Sequence, residues 1–270
     1  MIMNTTRTTR TTRHACVSLR HALAAFALAM VAGVPVAAGA DDAAWLRSGT
    51  LLFEDSFNRE EDGNLAKAIG NGWNSATADR VPDVKQADLD GGVLKVIDEP
   101  RAGHQPHMHH EAGFADGGAI FRFRLPEAGK PASLMAGFVD RQTPGVHAGH
   151  LCYAIISVQP PQITLADFKT GVMNLEIKKR REEFLARKEK LPADLAALLA
   201  TKSRSFAWPA DDAWHELVLV TEGDEMRVAL DGKPLGSHRS EGFAHPTKRW
   251  FSFLMTPSAW IDDVQVYRVK

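Results

Sequence analysis

The chain has 270 residues, a formal net charge of −1 and two cysteines, Cys16 and Cys152. This balance gives no electrostatic case for nucleic acid as a partner. Two cysteines exclude a disulfide scaffold, so stability must come from a core that a chain of this length can bury.

Residues 1–40 read as an export signal. Arg7, Arg10, Arg13 and Arg20 form a basic front without an acid, an apolar run spans Ala22 to Val36, and Ala38-Gly39-Ala40 offers a small-residue cleavage site. The run is too short, and too rich in Ala and Gly, for a permanent span of about 20 apolar residues. The mature protein is therefore expected to begin at Asp41, without a membrane span, in the periplasm or outside the cell. Loss of four arginines moves the formal charge to −5, and loss of Cys16 leaves Cys152 alone.

Residues 41–270 are expected to form a single domain whose two ends are rich in strands. Short apolar or alternating runs, separated by Gly, Asp and Pro, fall at 51–57, 92–97, 119–125, 134–140, 151–158 and 163–168, then at 214–221, 225–231, 249–255 and 260–269. Ile120, Arg122 and Arg124 alternate with Phe121, Phe123 and Leu125, which predicts one exposed and one buried face. Asp231-Gly232 marks a hairpin. No strand-helix-strand alternation occurs, which excludes a parallel α/β fold.

Between 171 and 202 the composition turns to Lys, Arg, Glu, Leu and Ala. Met173, Ile177, Phe184 and Leu185 predict a helical stripe, Glu176 with Arg180 and Glu183 with Arg187 predict i,i+4 pairs, and Pro192 separates a second helix carrying Leu195, Leu198 and Leu199. The stripe is expected to pack on the sandwich, giving a helical hairpin insertion at 171–202.

The opening LLFEDSFNRE, the pair Gly72-Trp73, the segment WHELVLVTEGDEMRVALDGKPLG and the closing IDDVQVYRV resemble the concanavalin A-like lectin/glucanase superfamily. More narrowly, the chain is similar to secreted bacterial domains of 3-keto-disaccharide hydrolase type and their uncharacterised relatives. HAGH at 147–150, KTGVMNLE at 169–176 and FAHPTK at 243–248 resemble signatures of a narrower subgroup. The resemblance implies an all-β, two-sheet antiparallel jelly-roll sandwich whose first and last strands pair and whose concave face can hold an oligosaccharide or polysaccharide. The Glu-x-Asp-x-(x)-Glu strand of the glucanase branch does not occur here, which argues against hydrolysis by paired carboxylates.

The densest chemical signal is HQPHMHH at 104–110, and six of the nine histidines beyond residue 40 fall between 104 and 150. On a strand, His107 and His109 share one face while Met108 and His110 take the other. His107 and His109 suit a metal site, proton transfer or hydrogen bonding to a ligand, and the pattern leaves these open. A second cluster sets Asp140, Arg141, His147 and His150 around one long turn. Lys169 and Lys248 are candidate oxyanion stabilisers, His245 flanks Pro246, and Trp208 is the candidate sugar platform. Trp214 and Trp260 sit in apolar strands, which predicts a place in the core, as it does for Cys152.

The expected function is a carbohydrate-active protein that cleaves a glycosidic bond in an oxidised (3-keto) or acidic sugar. His107, His109, His147, His150, Lys169 and Lys248 are the catalytic candidates, Asp140, Arg141, Trp208 and His245 the ligand-binding ones, and a divalent metal on His107 and His109 the one cofactor the pattern suggests. The alternatives are a non-catalytic glycan-binding module and an envelope interaction protein using the helical arm. The sequence sets neither the sugar nor the oligomeric state. Intact-mass measurement of protein from the cell envelope is expected to show a chain starting at Asp41; retention of residues 1–40 would contradict the export reading.

Overall fold

The computed structural model describes residues 42–126 and 131–270, and the expected signal and its cleavage site lie outside the described residues. In chain order the strands are β1 (Thr50–Asp55), β2 (Asn74–Ser75), β3 (Ala87–Leu89), β4 (Leu94–Ile97), β5 (His107–Phe114), β6 (Gly117–Arg124), β7 (Ser133–Val139) and β8 (His150–Ser157). They continue as β9 (Gln162–Asp167), β10 (Ser203–Ala207), β11 (His215–Glu222), β12 (Glu225–Leu230), β13 (Lys233–Arg239), β14 (Lys248–Thr256) and β15 (Ser258–Arg268). The helices are α1 (Asp42–Arg47), α2 (Leu175–Ala186) and α3 (Ala193–Ala200). No helix among the described residues is long and apolar enough to cross a membrane.

Two antiparallel sheets form the jelly-roll sandwich. One runs β13-β12-β11-β6-β15-β4-β3 with β1 added against β15, and the other runs β10-β9-β8-β7-β14-β5-β2. The first and last strands pair, Thr50 opposite Arg268 and Asp55 opposite Val264. Asp231 and Gly232 take φ of 51° and 72° between the paired Leu230 and Lys233, the two left-handed positions of a tight hairpin. β10 and β13, which the apolar pattern does not reveal, are polar edge strands, one on each sheet.

Trp73, Phe121, Phe123, Phe138, Phe251 and Phe253 fill the space between the sheets. Phe253 stacks on Trp73 at 5.9 Å and meets Phe121 edge-on at 5.1 Å. The Trp73 indole N–H donates to the buried Asp55 carboxylate at 2.8 Å, and Asp55 also accepts from both terminal nitrogens of Arg59 and from the Phe57 amide. Burial pushes the Asp55 carboxyl up, but these donors prevail and hold it below its ordinary value. The carboxylate thus ties the end of β1 to the core.

Four expectations need correction. Ile120 is buried, because α1 lays Leu46 over it together with Val218 and Val220. Trp214 and Trp260 are only half-buried and lie under cations, Arg122 at 5.1 Å from Trp214 and both Lys95 and Arg124 at 4.8 Å from Trp260. The expected stripe of the insertion does not pack as a unit. Asn174 caps α2 by accepting from the amides of Glu176 and Ile177. Yet α2 contributes no buried side chain, Leu185 is exposed, and Phe184 is half-buried under Arg187.

The expected i,i+4 pairs are replaced as well. Arg180 reaches Asp194 of α3 at 2.7 Å, Arg187 pairs with Glu189, and Lys178 pairs with Glu182. Burial within the insertion belongs to Leu195 of α3, at 1% exposure. In chemical denaturation, Leu195→Asp is expected to cost several kcal/mol as a buried unpaired charge, against less than about 1 kcal/mol for Phe184→Asp. Equal losses would show that α2 is packed after all.

Candidate functional site

Strand alternation divides the HQPHMHH histidines between two environments. Met108 enters the core, and His110 follows it to the inner side, stacked on Phe53 at 3.6 Å with its Nε2 2.8 Å from the Asn71 carbonyl. His107 and His109 take the outer face of the seven-stranded sheet. The register then sets a row across that face: His109 opposite Ser252, Ser252 opposite Gly137, Gly137 opposite Tyr153 and Tyr153 opposite Ala166. Gly137 is needed there because the neighbouring strand passes too close for a side chain; an added Cβ would lie 2.1 Å from the Cys152 carbonyl oxygen and 2.5 Å from Cδ1 of the Tyr153 ring. The phenol oxygen comes within 3.5 Å of Ser252 Oγ.

His150 joins this face through an irregularity. Cys152 and Ala154 point into the core, so strict alternation would send His150 inward too. Between Phe138 and Val139 the register shifts: Cys152 stands opposite Phe138, but His150 stands opposite Val139. Leu151 and Cys152 both enter the core, and His150 turns to the side of Tyr153, where its Nδ1 and the phenol share a hydrogen bond of 2.5 Å.

The three imidazoles converge. Ring centroids are 5.4 Å apart for His107 and His109, and 5.7 Å for His107 and His150. All three are buried, and Nε2 of His107 and Nδ1 of His109 have no hydrogen-bond partner, an arrangement that native proteins keep where a ligand, ion or water completes it. Burial pushes the His107 imidazole down to about 2, with the neighbouring His150 and His109 adding to the effect. Burial likewise lowers His109 and His150 to about 4. The positive charge of Arg141 acts in the same direction on all three. The cluster is therefore neutral throughout the physiological range, with unprotonated nitrogens available.

A loop from 140 to 149 carries Arg141 and His147 to the rim, where both are exposed. It is pinched closed at Gly149, whose φ is 71° and where a Cβ would lie 2.2 Å from the Asp140 carbonyl oxygen. Arg141 forms no ion pair with a carboxylate among the described residues, and His147 lies 6.5 Å from His150. Beside His109, Trp250 stands edge-on at 5.1 Å and borders a cavity of about 300 Å³ with Glu111, Ala112, Gly113, Gln142 and Arg249.

Several expected site residues lie elsewhere. Lys248 is fully buried, donates to the carbonyls of Ala115 and His245, and sits 5.9 Å from the Phe114 ring, so it holds loops together rather than facing a ligand. Lys169 is half-buried, and its charge acts on His245 and Lys248; the charge of Arg141 acts on the three clustered histidines. Trp208 is a core residue whose indole N–H donates to the Ser157 carbonyl, so it is no platform. Asp140 and His245 form an internal pair at 3.1 Å, and Asp140 also accepts from Arg249 and the Gln142 amide. No group of three or more His, Cys, Asp or Glu side chains among the described residues is arranged to hold a metal ion.

Tyr153 and Ser252 escape sequence reasoning. Tyr153 lies inside an apolar run and reads as core, whereas Ser252 between Phe251 and Phe253 carries a usable signal, since a polar residue at the alternate position of an aromatic strand marks the second face.

No protein-family model matches the chain, and no curated protein does. Among solved structures, the chain is similar to the laminarinase from Rhodothermus marinus, with a TM-score of 0.53 and 14% identity over 82% of this chain and 97% of that one. It is also similar to SCLam, a non-specific endo-beta-1,3(4)-glucanase from family GH16, with a TM-score of 0.50 and 13% identity over 82% and 91% of the two chains. At these identities the likeness shows the fold alone, a jelly-roll sandwich.

The depressed histidines make stability depend on pH. In the unfolded chain they titrate near 6.5, in the folded chain at about 4 and about 2. Between these values the unfolded state holds protons that the folded state does not, so their stabilising effect is complete above about pH 6.5 and is lost as pH falls toward 4. Each histidine contributes a slope of up to roughly 1.4 kcal/mol per pH unit. Denaturation curves between pH 7 and 4 are expected to flatten in a His107→Gln, His150→Gln double variant. An unchanged slope would place the acid sensitivity elsewhere.

Proposed function

We propose that the chain is an exported carbohydrate-active protein that cleaves a glycosidic bond next to an oxidised (3-keto) or carboxylated sugar carbon, on the outer face of the seven-stranded sheet. One observation carries this reading: His107, His109 and His150 converge there with two buried, unpartnered ring nitrogens, within reach of the Arg141 charge. The outward row His109, Ser252, Gly137, Tyr153 and Ala166 carries no carboxylate pair, so retaining hydrolysis by two acids has no machinery in it. That a laminarinase and an endo-glucanase share the fold supports a glycan as the ligand class.

An unprotonated imidazole can accept a proton from the carbon beside a carbonyl; burial makes these three weak bases at rest, and the enolate charge developing beside them raises the proton affinity of the one that acts. The C–H bond breaks, its proton passes to the imidazole, and the electron pair moves into the carbonyl to form an enolate that the Arg141 guanidinium stabilises. Re-formation of the carbonyl expels the glycosidic oxygen β to it. That oxygen takes the proton back from the imidazolium, leaving a carbon-carbon double bond to which water can add. Tyr153 orients His150 through their shared hydrogen bond.

A second reading, a non-catalytic glycan-binding module, is favoured by the low basicity of the same histidines, which suits them to accept hydrogen bonds from sugar hydroxyls. Turnover separates the two. Disaccharides with a 3-keto or uronic-acid unit, and their unoxidised counterparts, are incubated with the protein and followed by mass spectrometry, with and without a chelator. Cleavage of the oxidised or acidic forms alone is expected, insensitive to chelator, and abolished in His107→Ala and His109→Ala. Arg141→Ala is expected to lower the rate by about 100-fold or more, as loss of an oxyanion-stabilising group does. Binding without cleavage would establish the module, and the absence of both would overturn the glycan reading.

A further inference from the structure

We infer that the cavity beside the histidine cluster is a second sugar subsite, one that takes a neutral pyranose unit adjoining the reacting one, with Trp250 as its stacking face and Glu111, Gln142 and Arg249 as its hydroxyl contacts. This inference rests on the glycan reading above and adds the requirement that the substrate be at least a disaccharide with one uncharged unit. The cavity measures about 300 Å³, at the lower end of the range of small-ligand sites. It adjoins the cluster, since Trp250 touches both His109 and the cavity.

Two of its lining residues are tied down from behind, Arg249 by its side chain and Gln142 by its backbone. Asp140, 4% exposed, receives Arg249 Nε at 3.0 Å and the Gln142 amide at 2.9 Å on one oxygen, and His245 Nε2 at 3.1 Å on the other. That anchor sets the plane of the guanidinium while engaging one of its five N–H groups. Adjacent residues of a regular strand point to opposite faces, yet Arg249 and Trp250 line one cavity; the register shift between Lys248 and Trp250 against β5 allows it. On the opposite strand Gly113 leaves its side open, with nothing within 4 Å of a would-be Cβ.

Charge decides which sugar fits. Asp140 offsets Arg249, so the cavity has no surplus cation for a carboxylate, and Glu111 makes no ion pair with Arg249 among the described residues. A carboxylated sugar would meet Glu111 as a like charge, whereas the vicinal hydroxyls of a neutral ring can donate to Glu111 and accept from Arg249. An aromatic face, an acceptor and a fixed donor fork together recognise a neutral pyranose.

The test is titration of the full protein, by tryptophan fluorescence and calorimetry, with a disaccharide of one glucuronate and one neutral glucose and with its counterpart carrying glucuronate in both units. The disaccharide with the neutral unit is expected to bind at least about tenfold tighter. Trp250→Ala should weaken it about tenfold or more while Trp250→Phe restores most of the affinity. Glu111→Gln should raise the affinity of the doubly acidic form about tenfold, with an unchanged melting temperature showing that the sheet is intact. Equal binding of both sugars, or indifference to Trp250→Ala and Glu111→Gln, overturns the subsite. If oxidised sugars are still cleaved in that case, the proposed function stands without it. If no sugar is bound or cleaved, both fall together.

Discussion

The arrangement of this protein depends on the aromatic layer between its sheets. Trp73, Phe121, Phe138, Phe251 and Phe253 interlock so closely that β5, β7 and β14 have no freedom to slip: a one-residue shift would exchange every buried ring for an outward side chain. With Phe251 and Phe253 locked inward, Ser252 must face outward. Its register partners His109 and Gly137 then share that face. The chemistry on the outer face is thus specified by packing on the inner one. Asp55 reinforces the layer from its edge by holding the Trp73 indole and Arg59 together.

Desolvation gives the outer face its chemical character. Three imidazoles withdrawn from water within the influence of the Arg141 charge are far more stable neutral than charged, so the protein keeps unprotonated nitrogens there across the whole neutral range. A solvated cluster of the same composition would titrate near neutrality. The foot of the insertion contributes to the shielding: Val172 and Met173 pack with Tyr153, Phe168 and Leu254, and the His147 amide donates to the Met173 carbonyl. The insertion acts on the site through its first residues, while α2 beyond them carries its charge into solvent.

Much of the strand framework was legible in the sequence because two-residue alternation and turn chemistry are local. β6, β14 and β15 announce themselves by spacing alone, and Asp231-Gly232 by its left-handed demand. The site was legible only in part. Periodicity places His107 and His109 on one face, but it does not place Lys248 or Trp208, because a Lys or Trp beside a turn looks the same whether the chain next folds it in or out. Likewise the stripe on α2 has helical spacing yet meets no surface to bury it.

The sequence by itself determined most of the longer strands, the inward and outward identity of most of their residues, and the concentration of histidines between residues 104 and 150. Only the tertiary structure decided that His150 belongs with His107 and His109, because that rests on one extra residue in β8 opposite Phe138 and Val139, a shift visible only once both strands are paired. It also decided that Arg141, not Lys169 or Lys248, supplies the nearby charge, and that Trp250 borders a cavity while Trp208 does not. These outcomes depend on which surfaces meet across long sequence separations, and local periodicity carries no information about that.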